Sequence, residues 1–466
     1  MEDSTFALAT FRDPAGSIKI GPDGVYRSIN PLFASDLLEF LSTSQYASLV
    51  SRNLIVASHI LYPEGADQHL VLRHPLVAFR SYPWEWPPSL WLSAAELTLD
   101  LCIELLRNGW ILKDATPLNV LFQGASPIFV DVPSVQRMDL KCPLWFAYGQ
   151  FVRTFLLPML AHSQLGWPLQ TAITRRDGYE PEELYKALPW PQKVKRPALT
   201  SVTLPALFAG RAKTSGEAPP AGIRSRIADD PEIVEEVIRK ALKSLKRDMQ
   251  RAMPPQGRSR WSSYVDTATH YEDEDRADKL EFVKTVLSEL RPRRVLDVGC
   301  NTGVYSNLAA DLGGEVVAID TDSTAVDRVA VDARKYGKNI LPLCVDLAYP
   351  TPATGWENLE TVSFLDRCSG HFDTVLMLAV IHHLLLSSQI PLSLIASLCS
   401  RLTTENLIIE WIPPSDVKFI EVLRGRESIY QHIDEPRFRE AFGDYFELVK
   451  EKTLHNGRIL LHLRKR

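Results

Sequence analysis

The stretch Arg294-Val295-Leu296-Asp297-Val298-Gly299-Cys300-Asn301-Thr302-Gly303-Val304-Tyr305 decides the fold. An apolar run rich in β-branched residues stops at an acid, enters a turn bounded by two glycines, and passes at once into a helical pattern. These are the marks of a buried parallel strand, a tight loop and a helix N-terminus. Glycine lets the backbone approach a ligand closely, and a helix start offers N–H donors without partners in the helix. A second apolar run, Glu315-Val316-Val317-Ala318-Ile319, ends in Asp320. In a βαβ unit an acid at that place receives two ribose hydroxyls. The pair points to a nucleotide-like cofactor.

The glycine spacing narrows the choice. A dinucleotide site uses Gly-x-Gly-x-x-Gly, because a pyrophosphate lies against bare backbone. Here Gly299 and Gly303 flank Asn301, and no third glycine is in register. Asp297 would repel a pyrophosphate but would help orient a cationic amino-acid end. The run Leu296–Gly303 resembles the first motif of class I S-adenosyl-L-methionine (SAM)-dependent methyltransferases, and SAM carries such an end, with an ammonium and a sulfonium. Those enzymes usually have glycine where this chain has Asn301. Asparagine is among the few other residues that tolerate left-handed backbone, so the departure is mild. The plainer alternative is a close-packed strand-to-helix turn with no ligand.

That resemblance implies a Rossmann-like, seven-stranded α/β methyltransferase sheet over 261–466, closed by an antiparallel edge hairpin from Phe446-Glu447-Leu448-Val449-Lys450 and Arg458–Leu463. It implies that Asp297, Gly299, Asn301, Gly303 and Asp320 hold the cofactor. Asp346, after the strand Ile340–Val345, would accept from the adenine amino group, with Leu347 on the adenine face. The strand Phe372–Leu378 runs on into Ala379-Val380-Ile381-His382-His383-Leu384, a recurrent form of the fourth motif. Imidazole is matched to neutral pH, so His382 or His383 could serve as a general base for an acceptor hydroxyl or amine. Equally, one could cap the next helix while the other packs beneath the loop. Glu410 and Trp411, ending the strand Asn406–Trp411, are candidates to line the acceptor pocket. His270 and Tyr271 fall where related enzymes carry a flap, and a plain capping segment explains them almost as well.

The chain as a whole bounds these readings. Its 466 residues suggest two to three domains, and 45% hydrophobic with 23% charged residues is ordinary for a soluble globular protein. A net charge of −5 argues against a generally basic nucleic-acid binder. The six cysteines (Cys102, Cys142, Cys300, Cys344, Cys368, Cys399) form no Cys-x-x-Cys pair, so neither a zinc site nor a disulfide framework is expected. The start Met1-Glu2-Asp3-Ser4 lacks the pattern of a signal peptide, and no apolar run is long enough to span a membrane. A cytoplasmic protein is expected.

The first half reads as an α+β domain over 1–188. Turn signals flank Ser17–Ile20, a helix is expected over Leu32–Leu41, and another over Ser93–Asn108. Then come Lys113-Asp114-Ala115-Thr116-Pro117-Leu118-Asn119 and Pro127-Ile128-Phe129-Val130-Asp131. This order resembles the catalytic-loop region of kinase-like folds, and would match Asp114 to the residue that orients the attacking hydroxyl. Asn119 and Asp131 would match the magnesium ligands. There is no Gly-rich phosphate loop upstream, no clear strand lysine, and Asp131 precedes Val-Pro rather than Phe-Gly. Alternatively, Asp114 and Asn119 cap loops and Asp131 ends a strand. Residues 189–260 read as a Pro-rich connector followed by a charged amphipathic helix, with Ile233, Val237, Ala241, Leu245 and Met249 on its buried face.

The chain also looks like the rhizobial nodulation protein NoeA group of methyltransferases, which implies a nodulation-type pathway. The reading is methyl transfer from SAM to a small-molecule or glycan-like acceptor, with no metal required. Two rivals stand beside it. One is a phosphotransferase or pseudokinase activity in the first half. The other is a SAM-binding interaction module without catalysis.

Overall fold

The computed structural model describes residues 12–61, 70–139, 141–142, 144–215, 230–255, 273–423, 425–430 and 432–466. The chain forms two compact units. Unit 1 comprises Met1–Gln256 with Thr354–Thr361, and unit 2 comprises Gly257–Ala353 with Val362–Arg466.

In unit 1, strands β1 (Gly16–Gly21) and β2 (Gly24–Ile29) form a hairpin across Pro22-Asp23, and with β3 (His59–Leu61) and β4 (Val71–His74) they make a sheet ordered β1-β2-β4-β3. Two antiparallel pairs follow, β5 (Trp110–Leu112) with β8 (Val135–Arg137) and β6 (Val120–Gln123) with β7 (Ser126–Phe129). The helix Pro88–Leu106 is the centre of this unit's core, burying Leu90, Trp91, Leu97, Leu101 and Leu105. An α+β layout is what the sequence led one to expect.

The described part of the segment read as a Pro-rich connector, up to Ser215, contains helices. Trp190–Lys193 and Leu204–Ser215 are helices, with a π-helical turn over Leu199–Thr203 leading into the second. Proline is tolerated in a first helical turn, where its missing N–H is not needed. The helix Pro231–Ala252 belongs to unit 1 and packs on Pro88–Leu106. Its buried stripe is Val234, Ile238, Leu242, Leu245 and Met249, while Ile233 and Val237 of the expected face are 49% and 37% exposed. Lys246 Nζ meets Asp100 at 2.7 Å, and Gln250 Nε2 donates to Glu96 at 2.7 Å. Two stripes one residue apart share the same period, and contact with the neighbouring helix decides between them.

Unit 2 is built on a seven-stranded sheet of β9 (Arg294–Val298), β10 (Glu315–Asp320), β11 (Ile340–Cys344), β12 (Phe372–Met377), β13 (Thr403–Trp411), β14 (Phe446–Thr453) and β15 (Ile459–Lys465). The order is β11-β10-β9-β12-β13-β15-β14. β9 to β13 run parallel, and β15 lies antiparallel between β13 and β14. The central strands are apolar on both faces because helices cover both; β9 is buried from Val295 to Val298. β14 is a charged edge, with Glu447, Lys450 and Glu451 exposed, which discourages pairing with another chain. The strand order reverses between β9 and β12, and in open α/β sheets ligands bind outside the carboxyl ends of the strands at such a point.

Candidate functional site

β9 delivers Asp297, and the chain then turns through Gly299, Asn301 and Gly303 at φ values of 71°, 48° and 80°. All three lie in the left-handed region, so glycine is needed at two places and asparagine is tolerated at the third. The first glycine also has a packing reason, since a Cβ on Gly299 would lie 2.3 Å from Val380 Cγ2. A Cβ on Gly303 would come within 2.9 Å of Val329.

The loop is tied to the second strand. Asn301 donates its backbone N–H to Asp320 Oδ2 at 2.9 Å, and Asp322 donates its own to Oδ1 at 2.9 Å. Each carboxylate oxygen keeps a second lone pair, so Asp320 still has capacity for a ligand's hydroxyls. Burial raises its carboxyl above the usual range, against the lowering effect of those two amides. Asn301 Oδ1 is buried without a hydrogen-bond partner among the described residues. A buried acceptor left over beside a strained loop and a helix start is what a cofactor with donor groups would complete.

Asp297 is 2% exposed and accepts from Ser306 Oγ at 2.6 Å. Burial pushes its carboxyl up to about 6, with the Asp320 carboxylate adding to the effect. Asp346 stands exposed after β11, its Oδ1 accepting the Ala348 N–H at 2.8 Å, and Leu347 is buried.

At the end of β12, Ala379 takes φ 59° and turns the chain into a π-helical turn, His383–Ser387. The rings of His382 and His383 lie 4.1 Å apart. His382 is 4% exposed, and its Nδ1 is buried without a hydrogen-bond partner among the described residues. Burial first, then His383 and Arg458, hold its pKa down at about 3. Burial also lowers that of His383.

Glu410 and Trp411 point to opposite faces of β13, as neighbours in a strand must. Glu410 is fully buried, with Lys279 Nζ at 2.5 Å from Oε2 and Arg458 Nη1 at 3.3 Å from Oε1. Arg458 in turn grips Asp416 through Nε at 2.8 Å and Nη2 at 3.1 Å. Trp411 stacks on Phe438 with ring centroids 4.9 Å apart and is 1% exposed. The first is thus committed to a buried charge chain and the second to the apolar core beneath helix Glu435–Gly443. His270 and Tyr271 lie outside the described residues.

Lys279, Arg458 and Asp416 were not singled out in the sequence. The signal for Lys279 was its place on a helical stripe with Asp275, Phe282, Val283 and Val286, all buried. Leu280, the more obvious apolar choice, is 40% exposed.

In unit 1, Asp114, Asn119 and Asp131 come together. Burial raises the Asp114 carboxyl, and Asp131 raises it further. Asp114 Oδ1 and Asn119 Nδ2 are buried without hydrogen-bond partners among the described residues. Asp131 is occupied by the protein itself: Arg27 Nη1 forms an ion pair with Oδ1, and Ser134 Oγ donates to Oδ2.

Residues 268–413 match the family model described as a methyltransferase domain. Residues 268–413 are thus a methyltransferase domain, with SAM as its methyl donor. Over nearly its full length the chain is similar to nodulation protein NoeA of Rhizobium meliloti (strain 1021), at 28% identity over 466 residues, covering 97% of this chain and 94% of that protein. Among solved structures it is similar to the N-methyltransferase NodS of Bradyrhizobium japonicum WM9, at 12% identity and a TM-score of 0.31, covering 42% of this chain and 98% of that one. Magnesium protoporphyrin IX methyltransferase of Synechocystis PCC 6803 is also similar, at 20% identity and a TM-score of 0.30, covering 44% of this chain and 95% of that one.

Proposed function

We propose that the protein transfers the methyl group of SAM to a small-molecule or glycan-like acceptor in the cytoplasm, within a nodulation-type pathway. The observation that carries the reading is the Asp297–Gly303 loop tied to Asp320, with Asn301 Oδ1 left over for a ligand. The pathway rests on the likeness to nodulation protein NoeA alone.

When bound, SAM supplies a methyl on a sulfonium, open to in-line displacement. Asp320 holds the Asn301 and Asp322 amides in place and accepts ribose hydroxyls with its remaining lone pairs. Asp346 accepts from the adenine amino group, and Leu347 packs on the ring. The buried Asp297 receives the ammonium of the amino-acid end, while the Gly299–Gly303 backbone, whose Gly299, Asn301 and Gly303 N–H groups are already donated within the protein, lets the ligand approach closely. His382 stays neutral at physiological pH, so its free nitrogen can accept a hydrogen bond from the acceptor's O–H or N–H. With a pKa near 3 it is a weak base, and its contribution is orientation more than proton storage. The rest of the acceleration is positioning and exclusion of water.

The test is transfer of label. The full chain is incubated with methyl-labelled SAM and panels of saccharides, small hydroxy compounds and amines. Label in a saccharide or small-molecule product supports the reading, and binding of SAM with no label in any panel favours a SAM-binding interaction module.

A second reading has its own observation, the gathering of Asp114, Asn119 and Asp131 with two buried polar atoms unsatisfied. It would make unit 1 a nucleotide–magnesium binder of the phosphotransferase or pseudokinase kind. Arg27 and Ser134 hold both oxygens of Asp131, which weighs against a metal there. ATP–magnesium binding lost in Asp131→Ala would favour it, and binding left intact by that change would remove Asp131 from the argument.

A further inference from the structure

We propose that unit 1 carries a recognition site for a neutral saccharide ring, in the cleft between Trp84, Trp91 and the Ala172–Tyr179 turn. The cleft has a volume of about 160 Å³, room for a ring rather than a chain. Its walls are aromatic and proline surfaces: Trp84 and Trp91 with Pro83, Pro117 and Pro158. Thr174, Thr354 and Thr361 also line it; Thr174 donates to Thr171 O and the Thr354 and Thr361 hydroxyls bond each other, so what they keep for a ligand is acceptor lone pairs. A pyranose has the matching two-sided chemistry, with a C–H face for an aromatic ring and hydroxyls around its edge.

One indole N–H of the residues that line the cleft has no acceptor among the described residues. Trp91 is satisfied, because its Nε1 donates to Phe155 O at 3.0 Å. Trp84 is 6% exposed and stacked on Tyr82 with ring centroids 5.0 Å apart, yet its Nε1 is buried without a partner among the described residues. A buried N–H without an acceptor is costly, and native structures rarely keep one without a reason. Elsewhere in unit 1, Trp86 and Trp145 donate to Ser81 Oγ and Leu112 O. A ligand oxygen held against the Trp84 ring edge would complete the set.

Charge sets the ligand's class. Arg175 and Arg176 stand at the rim and would suit a phosphate or carboxylate if they were free. Neither is. Arg175 donates to both oxygens of Glu183, at 2.9 and 3.0 Å, and lies over the Tyr179 ring at 4.4 Å. Arg176 pairs with Glu360, which also takes Arg12 at 2.9 Å. Both guanidinium groups are thus engaged by carboxylates and neither is left to grip an anion, although Glu360 is shared with Arg12 and three arginines face two carboxylates. The cleft lies wholly in unit 1, so the site stands whether or not the proposed acceptor of methyl transfer is right.

The experiment uses the full chain with its ten tryptophans ¹⁵N-labelled at the indole nitrogen, titrated with methyl β-D-glucopyranoside and N-acetylglucosamine. Glucose 6-phosphate and indole serve as the charged and aromatic comparators. The expected result is that one indole N–H resonance moves saturably with a neutral saccharide, and that this resonance is the one missing from Trp84→Phe. The variant keeps a ring and loses only the donor, so its affinity should fall about tenfold. Ala172→Trp, which fills the cleft from its wall, should abolish the response while leaving the melting temperature close to that of the parent. The proposal is overturned if no indole resonance moves with either saccharide, if Trp84→Phe binds as well as the parent, or if only indole or the phosphorylated sugar binds.

Discussion

The backbone N–H of Asn301 and the carboxylate of Asp320 meet at 2.9 Å, so the loops after the first two strands of the methyltransferase sheet are one structure. Asp320 therefore shapes the cofactor loop before any ligand arrives. Asp320→Ala leaves the amides of Asn301 and Asp322 without their acceptor and should destabilise unit 2 by about 1–3 kcal/mol. Asp320→Asn keeps one carbonyl oxygen and should lose less. Urea unfolding of both variants checks the order, and equal loss in the two would contradict it.

Gly299 is required by two separate constraints, a φ of 71° and the proximity of Val380 Cγ2. Gly299→Ala should cost about 2–4 kcal/mol from backbone strain and overpacking together. Val380→Ala removes the second constraint but not the first. A double variant should recover part of the loss, and no recovery would mean that backbone strain alone is responsible.

Lys279 and Glu410 form a buried pair at 2.5 Å, 131 residues apart in the chain. Removing Lys279 leaves the buried Glu410 with Arg458 still beside it at 3.3 Å, so Lys279→Ala should cost about 2–4 kcal/mol. Lys279→Met with Glu410→Gln removes both charges and leaves Arg458 on Asp416, so the double variant should be the more stable of the two. A double variant as unstable as Lys279→Ala would show that Glu410 is needed for Arg458 instead.

Two buried histidines, His74 and His382, and the half-buried His371 make the fold acid-sensitive. Burial holds His74 and His371 at about 4 and His382 at about 3, against about 6.5 in the unfolded chain. Between those values the unfolded state binds protons that the folded state refuses, so stability is present above pH 6.5 and is lost as pH falls. Asp297 acts in the opposite sense, because its carboxyl is raised to about 6 and the folded state takes up its proton first. The raised carboxyls of Asp114, Glu315 and Asp320 act with Asp297, and the lowered His383 and His462 act with the other histidines. Five histidines outnumber four carboxyls, and the unfolding midpoint in urea should fall from pH 6.5 to pH 4. His382→Gln should flatten that slope, and an unchanged slope would separate His382 from the effect.

The conformation of the Asp297–Gly303 loop was legible because its signal is local. Glycine spacing, an acid at a strand end and a β-branched run all lie within a dozen residues, and the structure places Gly299, Asn301 and Gly303 in the left-handed conformation that this reading requires. Sheet membership was legible too, since strands buried on both faces read as continuous apolar runs. The partners of Glu410 were not. Lys279 and Arg458 are charges on otherwise apolar stripes, and only the fold shows that they answer one carboxylate. Trp411 was placed on the acceptor side because it adjoins Glu410, although alternation along β13 sends it to the other face. The segment after Pro189 looked like a connector because prolines were counted without asking where in a helix they fall.

The most direct test is calorimetric titration of the full chain with SAM. The account predicts saturable binding at one site per chain, competed by S-adenosylhomocysteine and weakened at least about tenfold in Asp320→Ala. Absence of binding, or binding that Asp320→Ala leaves unchanged, would contradict the assignment of the Asp297–Gly303 loop and Asp320 as the methyl-donor site.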